Sequence, residues 1–214
     1  MFHARHIILL FSILFCANLQ GQCIDYQILC DLQQHRTPGM DNTMRWVSNS
    51  LVLAPAIPAS IAIGGWASNS TPLLDVAKQS GISLLATACV TMGLKAILRR
   101  PRPYIKYADD LIPVTTERTY SFPSGHTSFA FSTATSLSLQ YPQWYIITPA
   151  FLWATAIGYS RMYLGVHYPS DVLTGALIGA LAAYITYEIQ QRQQEQISEA
   201  GIPNTKGFAI SVKL

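Results

Sequence analysis

The segment SRMYLGVHYPSD, residues 160–171, places an arginine, a histidine and an aspartate between two long uncharged runs. Residues 119–160 contain no Asp, Glu, Lys or Arg, and neither do residues 172–187. Charged groups between apolar runs are costly unless they are paired or used. The segment is therefore either a functional site or an ordinary loop before a capped helix, and alone it supports both interpretations equally. The three candidate residues are Arg161, His167 and Asp171.

The uncharged runs belong to a set of apolar stretches that predict helices. In one of them, Gly175, Gly179 and Ala183 recur every four residues, a pattern typical of close helix packing in lipid. Another contains two prolines and a Gly–Gly pair, so we expect a kinked helix there. The stretches are Leu51–Ala67, Gln79–Leu98, Thr127–Leu139, Trp144–Tyr159 and Val172–Tyr187.

Together these stretches predict an all-α fold, a helical bundle of about five to six helices. If all five stretches cross a membrane, the polar segments between them meet at one end of the bundle. Several stretches are shorter than the about 20 apolar residues that a bilayer requires, so a soluble or monotopic helical bundle remains an alternative.

Composition indicates one domain of membrane type. Of the 214 residues, 50% are hydrophobic and only 12% are charged, about half the share usual in soluble domains. The mean hydropathy is +0.25. Six of the fourteen Lys and Arg residues lie between Lys95 and Arg118, flanked by apolar stretches rather than by a basic polar face. This arrangement argues against a nucleic-acid partner.

The N-terminus has the pattern of an export signal. Arg5 precedes the apolar run Ile7–Phe15, which is too short for a spanning helix, so residues 1–22 are predicted to be a signal peptide or an N-terminal anchor. Residues 23–50 form an amphipathic segment, whose short helix either lies on a membrane surface or packs on the domain as a lid. Cys23 and Cys30 are predicted with equal weight to be paired or free.

The helical domain is assigned to residues 51–188 and a polar C-terminal tail to residues 189–214, with a β-like pattern only in residues 209–214. With an exported N-terminus, five spans place both polar regions outside. The positive-inside rule would instead place the basic loop 99–118 in the cytoplasm. We give the export signal precedence, because arginines that bind substrate have their own reason to lie outside.

A second polar motif is KAILRRPRP, residues 95–103. Lys95 lies late in a predicted helix and Arg102 follows the first of the prolines that end it. An arginine fork matches phosphate oxygens and a lysine adds a point charge, so the pair is suited to anion binding. The alternative is a basic cluster that extends toward lipid headgroups, and this is the better explanation for such a cluster alone.

The third motif is FPSGH, residues 122–126, which leads directly into a predicted helix. Ser124 is expected to cap that helix, and Gly125 allows a ligand to approach the backbone closely. The free amides at the helix start form an anion site, where His126 would donate a proton. A simple capped helix start with a surface histidine is the alternative.

In the opening segment, Pro169 suits the first position of a helix, so Asp171 falls in the first turn and His167 just ahead of it. Asp171 is therefore expected to accept a hydrogen bond from one imidazole nitrogen of His167. This contact would orient the ring and leave the other nitrogen free as a nucleophile.

In order and spacing, these three motifs resemble the signature of the type 2 phosphatidic acid phosphatase superfamily. That superfamily includes bacterial non-specific acid phosphatases and vanadium haloperoxidases. The resemblance spans Lys95–Asp171 and implies an all-α bundle with the active site at one end. It also implies hydrolysis of phosphomonoesters or pyrophosphates without a metal ion or another cofactor.

The resemblance assigns a role to each motif residue. His167 would attack phosphorus and form a phosphohistidine, Asp171 would orient and stabilise its imidazolium, and His126 would protonate the leaving oxygen and then activate water. The remaining residues would hold the phosphate oxygens; they are Lys95, Arg102, Ser124, Gly125 and Arg161.

The main hypothesis is a lipid phosphatase in the bacterial inner membrane with its active site facing the periplasm. Its substrate would be an isoprenyl pyrophosphate, a phospholipid such as phosphatidate or phosphatidylglycerol phosphate, or a lipid A-type glycolipid. A soluble periplasmic acid phosphatase is the alternative, and a vanadium haloperoxidase or a phospholipid-binding scaffold is less well supported.

Overall fold

The computed structural model describes residues 23–199, and every regular element in that range is helical. Helices α2 and α3 form one broken helix, so with the four-residue α5 set aside the bundle has six helices, as predicted. The predicted signal peptide or anchor and the β-like tail pattern lie outside the described residues. The elements are α1 (residues 23–34), α2 (Pro38–Asn49), a 3-10 turn (Ser50–Val52), α3 (Leu53–Ala67), α4 (Thr71–Leu98), α5 (Pro103–Lys106), α6 (Gly125–Gln140), α7 (Trp144–Tyr163) and α8 (Pro169–Glu199).

Helix α6 is the centre of the bundle and packs against α4, α7 and α8. Its buried positions carry only small side chains, such as Ala130 and Ala134, which pack against Ala154 and Ile157 of α7. Small side chains allow neighbouring helix backbones to approach closely. With 16 residues, α6 is about 24 Å long, shorter than the roughly 30 Å hydrocarbon core of a bilayer.

Helix α8 lies directly on α6 through the predicted glycine stripe. A Cβ atom at Gly175 would lie 2.6 Å from the carbonyl oxygen of Ser124, and one at Gly179 would clash with the backbone of Ser128. Ala183, the next member of the stripe, is fully buried. The predicted close packing is therefore present, and it joins the helix that begins at residue 125 to the helix that begins at residue 169.

Two helices are longer than the apolar pattern predicted. Helix α4 begins at Thr71 rather than near Gln79, and α8 continues past Tyr187 to Glu199. The added turns contain charged residues and glutamines, which are good helix formers but fall outside an apolar window. The kink expected in Leu51–Ala67 takes the form of a 3-10 turn before α3, and α3 itself contains Pro58.

Within residues 23–199, three stretches are long and apolar enough to cross a membrane: Pro38–Ala67, Thr71–Lys106 and Pro169–Ile197. The other two predicted spans, in α6 and α7, do not belong to this set. Large apolar side chains on the outer faces are mostly exposed, among them Leu85 at 68% and Leu173 at 67%. Exposed apolar area costs about 25 cal/mol per Å² in water, so these faces fit lipid better than solvent and favour a membrane protein over a soluble bundle.

Helix α1 packs on the domain beside the turn between α7 and α8. Leu29 is buried against Leu111 and Tyr168. Of the two alternatives for this amphipathic segment, the structure therefore has the packed one, although Ile24 and Ile28 remain exposed. Both cysteines of α1 are free thiols, so no disulfide joins them.

Candidate active site

The three sequence motifs meet at one end of the bundle. Helices α4 and α7 end there, and α6 and α8 begin there, so consecutive long helices run in opposite directions. The Ser124 amide donates to the Asp171 carbonyl at 3.0 Å, which joins the starts of α6 and α8. The Arg102 guanidinium reaches His167 across 65 positions of sequence.

His167 lies in the turn before α8 and is almost completely buried. Arg102 Nη1 donates to its Nε2 at 3.3 Å. Burial outweighs the opposing effect of Asp171 and, with smaller contributions from Arg161 and Arg102, lowers the pKa of His167 to about 3. The imidazole is therefore neutral at ordinary pH, and its Nε2 lone pair faces the arginine that would hold a phosphate.

The predicted hydrogen bond between His167 and Asp171 is only partly formed. His167 Nδ1 lies 3.5 Å from Asp171 Oδ2 and has no hydrogen-bond partner within the described part of the chain. Asp171 Oδ2 instead accepts from the Ser121 hydroxyl at 2.5 Å and from the Tyr168 amide at 3.0 Å. Such contacts are often long before substrate binds, so the carboxylate is in place to receive the Nδ1 proton.

Asp171 is fully buried in the first turn of α8, as predicted from the position of Pro169. Its Oδ1 accepts from Arg100 Nη1 at 2.6 Å. The carboxylate is thus fixed on one side by an arginine and on the other by Ser121. Neither partner was among the residues that the sequence assigned to the site.

Lys95 and Arg102 are held by the carbonyl groups of the loop that precedes α6. Lys95 Nζ donates to the Tyr120 carbonyl at 2.5 Å, and Arg102 Nε donates to the Thr119 carbonyl at 2.7 Å. Arg102 Nη1 also donates to the Val166 carbonyl at 2.8 Å. Arg102 therefore joins the loop before α6 to the turn that carries His167, a role that a point charge could not fill.

Arg161 lies at the end of α7 and is 2% exposed. Its Nη1 donates to the Ser48 hydroxyl at 2.6 Å, and its Nη2 pairs with Glu117 Oε1 at 2.5 Å. Burial alone raises the pKa of the Glu117 carboxyl, but the Arg161 guanidinium outweighs this effect and lowers that pKa overall. Arg161 therefore already has an anionic partner, which an incoming phosphate must share or replace.

The FPSGH motif differs from expectation at Ser124. Ser124 occupies the N-cap position of α6, but its side chain makes no capping hydrogen bond, and its hydroxyl accepts from Thr127 Oγ1 at 2.9 Å. The prediction of a capping hydroxyl was wrong, because Thr127 of the first turn uses that hydroxyl instead. Gly125 is open, since the nearest atom to an added Cβ would be a Thr91 methyl at 3.8 Å.

His126 is the second residue of α6 and is half-buried. Burial, followed by the charge of Arg161, lowers the pKa of His126 to about 4, so its imidazole is neutral before an anion binds. The early amides of α6 have no helical acceptor and carry partial positive charge. The start of α6, close to Lys95, Arg102 and Arg161, is therefore suited to an anion.

Four residues of the site were not identified from sequence: Asp25, Arg100, Glu117 and Ser121. Arg100 lies two positions before the predicted Arg102, yet nothing in its spacing indicates that it faces Asp171 rather than a phosphate. Asp25 pairs with Arg100 from 75 positions away. No local pattern reports a contact of that separation, so these residues could be found only from the fold.

Comparison with known proteins places the site in a family. The sequence model described as the PAP2 superfamily matches residues 77–195, which include all three motifs. An undecaprenyl-diphosphatase from Sulfolobus acidocaldarius is 31% identical over 56% of this chain, and a lipid A 4'-phosphatase from Bacteroides thetaiotaomicron is 32% identical over 39% of it. The chain spans 61% and 38% of the lengths of these two relatives.

The fold has a solved counterpart as well. The crystal structure of a transmembrane PAP2-type phosphatidylglycerolphosphate phosphatase from Bacillus subtilis superposes with a TM-score of 0.72 at 24% identity. It covers 90% of this chain and 98% of its own, a likeness that concerns the fold alone. With more than half of the sequence and all three motifs inside the family match, the chain belongs to the PAP2 superfamily, as the motif spacing had indicated.

Proposed function

We propose that the protein is a membrane phosphatase that hydrolyses a lipid phosphate or lipid pyrophosphate through a phosphohistidine on His167. The observation that carries this proposal is the placement of a buried, neutral His167 between Asp171 on its Nδ1 side and Arg102 on its Nε2 side. A neutral imidazole with one nitrogen facing a carboxylate and the other facing a cation is arranged for attack on a bound phosphate.

In the first step, the Nε2 lone pair of His167 attacks phosphorus, and the bond to the leaving oxygen breaks. The bound phosphate offsets the charge of the neighbouring cations, so His126 takes up a proton on binding and donates it to that oxygen; the leaving group departs as an alcohol or as a lipid monophosphate. Positive charge builds on the His167 ring, and Asp171 stabilises it by accepting the Nδ1 proton in a hydrogen bond. The phosphate oxygens would contact Lys95, Arg102, Arg161, Ser124 and the Gly125 amide.

In the second step, water attacks the phosphohistidine. His126, now neutral, accepts a proton from the water, the nitrogen–phosphorus bond breaks, and inorganic phosphate is released. His167 returns to its neutral form, and His126 is protonated for the next cycle. The preorganised cations contribute most of the stabilisation, because they act on the transferring group in a site from which much of the water is excluded.

The lipid substrate class is supported by the surroundings of the site. Three membrane-type helical stretches carry the site at one end, and the two relatives are named for a lipid pyrophosphate and a lipid A phosphate. A soluble periplasmic acid phosphatase is less well supported, since the outer faces of the bundle expose large apolar side chains such as Leu85 and Leu173.

Phosphate release from a substrate panel tests the proposed function. The purified protein in detergent would receive lipid pyrophosphates, lipid monophosphates and soluble phosphate esters, each with and without a metal chelator. We expect kcat/KM for at least one lipid substrate to exceed that of the soluble esters by about 100-fold or more, since the lipid tail adds binding energy. The chelator should leave the rates unchanged.

Two results of the panel would contradict the proposal. Rates on soluble esters that equal those on lipids would favour an acid phosphatase without lipid preference. Activity lost with the chelator and restored by a divalent metal would contradict hydrolysis by side chains alone.

The placement of the site at the outer face of the inner membrane needs a separate test. A water-soluble phosphate ester that does not cross membranes would be given to spheroplasts, before and after permeabilisation. We expect the same rate in both preparations, because an outward site is accessible from the start. A rate that appears only after permeabilisation would place the site in the cytoplasm, as the positive-inside rule suggests.

A further inference from the structure

Asp25 lies on α1, outside residues 77–195 that match the family, yet it reaches the start of α8. It is 4% exposed. Its Oδ1 accepts from the Ser170 amide at 3.0 Å, and its Oδ2 accepts from the Ser170 hydroxyl at 2.5 Å. Arg100 Nη2 pairs with the same Oδ2 at 2.9 Å. Burying a carboxylate lowers stability unless its partners are well placed. Here one partner, Ser170, precedes Asp171 in the sequence, and the other, Arg100, forms an ion pair with Asp171.

Arg100 connects the two carboxylates. One of its terminal nitrogens pairs with Asp25, and the other pairs with Asp171 Oδ1 at 2.6 Å. The guanidinium carbon also lies 3.8 Å from the centre of the Tyr168 ring, so the group is held in one orientation. The result is a chain of contacts from Asp25 through Arg100 to Asp171, which faces His167 Nδ1 at 3.5 Å.

The charges along this chain matter for the reaction. Asp171 must stabilise the positive charge that forms on His167, but an arginine paired with Asp171 alone would neutralise it. A second carboxylate on the same arginine takes up part of its charge and leaves the group formed by Asp25, Arg100 and Asp171, on the Nδ1 side of His167, with a net negative charge. Asp25 also holds Ser170, the residue next to Asp171, so it maintains the position of the carboxylate as well as its charge.

We propose that Asp25 is a positioning residue for phosphoryl transfer, which acts through Arg100 on Asp171 and makes the segment before the family match part of the active site. This inference rests on the proposed function. It concerns the transition state, because the charge on His167 is present only after attack begins. Removal of the Asp25 charge is therefore expected to lower kcat rather than to change KM.

The test is Asp25→Asn, which keeps the shape of the side chain but removes its charge. We expect kcat on the best lipid substrate to fall about tenfold and KM to change by less than about twofold. The matched control is Asp31→Asn on the same helix, because the Asp31 side chain is 74% exposed and its ion pair is with His35 on the surface. This control should leave both constants unchanged.

Two further variants separate positioning from a purely structural role. Leu29→Ala weakens the packing of α1 on Tyr168 but keeps the Asp25 carboxylate, so kcat should remain within about twofold of wild type. In an Arg100→Gln background, Asp25→Asn should have little further effect, because the connecting guanidinium is already gone. Asp25→Glu should recover part of the lost kcat.

Several outcomes would overturn the inference. One is an unchanged kcat in Asp25→Asn. Another is a loss of kcat in Leu29→Ala equal to that in Asp25→Asn when both variants lose the same stability. The third is an effect of Asp25→Asn on kcat that is as large in the Arg100→Gln background as in the wild type. If the wild type released no phosphate from any substrate, the proposed function itself would be wrong, and the inference with it. Active wild type with an unaffected Asp25→Asn variant would remove only the inference.

Discussion

His167→Ala is expected to lower kcat for phosphate release by at least about 10⁴-fold, the scale seen when a nucleophile is removed. The reason is chemical, because the imidazole Nε2 would form the bond to phosphorus, and none of the neighbouring cations can take its place. The fold should persist. The variant loses the 3.3 Å hydrogen bond between the ring and Arg102 Nη1, but the Arg102 guanidinium keeps its hydrogen bonds to backbone carbonyl groups. Steady-state phosphate release and thermal unfolding in detergent measure the two effects.

The matched control for this variant is His35→Ala. His35 lies in the turn after α1 with a side chain that is 75% exposed, so its removal should change neither kcat nor the unfolding temperature. Full activity in His167→Ala would exclude the phosphohistidine mechanism. If His167→Ala loses both activity and folding, His167→Gln distinguishes the two causes. Glutamine fills the same space without an imidazole, so this variant should be folded and inactive.

Gly179→Ala is expected to lower the free energy of unfolding by about 3 kcal/mol or more, at or beyond the upper end for overpacked sites. A methyl group at this position would clash with the carbonyl group of Ser128 and lie 2.8 Å from the Ser132 amide nitrogen. Both are backbone atoms of α6, so no side chain can move aside, and the helices must separate. Denaturant titration of the detergent-solubilised protein measures the change.

The same substitution should also lower activity in the fraction that remains folded. Helix α6 carries His126 and α8 carries Asp171. A shift between the two helices therefore changes the distance from His126 to Asp171 and to His167, which precedes α8. Reaction rates respond strongly to misplacement of about 1 Å. The rate per folded molecule, from activity corrected by the unfolding curve, reports this effect separately from stability.

Gly93→Ala on α4 is the matched control for Gly179→Ala. An added Cβ at Gly93 has no atom within 4 Å, and the residue is in a helix interior. Alanine there should raise the free energy of unfolding by about 0.5–1 kcal/mol, because glycine is the poorer helix former. Equal destabilisation by the two variants would show that the contact between α6 and α8 is not as close as the structure has it.

The catalytic motifs could be predicted from sequence because each one is local. Proline favours the first position of a helix whatever the tertiary surroundings, and α8 begins at Pro169. The four-residue spacing from His167 to Asp171 therefore places both residues at that helix start. The stripe of Gly175 and Gly179 predicted a tight helix contact for a similarly local reason, since residues four apart share a helix face. Helix ends were less predictable, because polar turns at both ends of a span carry no apolar signal.

The capping role of Ser124 shows where local reasoning fails. The residue type and its position both favour a side-chain cap, and the N-cap position was correct. However, the hydroxyl accepts from Thr127 Oγ1, so a side chain of the first helical turn is its donor in place of a backbone amide. Residue type and position do not determine which of several nearby donors a short side chain accepts from.

The sequence by itself determined the all-α class, the family and the residues that would carry phosphoryl transfer, because periodicity and motif spacing are properties of neighbours along the chain. Only the tertiary structure decided which groups surround those residues. Asp25 comes from α1, whereas Glu117 and Ser121 come from the loop 107–124, and each contacts a charge that the motifs supply. A buried charge must be neutralised by whatever group the fold brings near it, and that group need have no fixed distance in sequence.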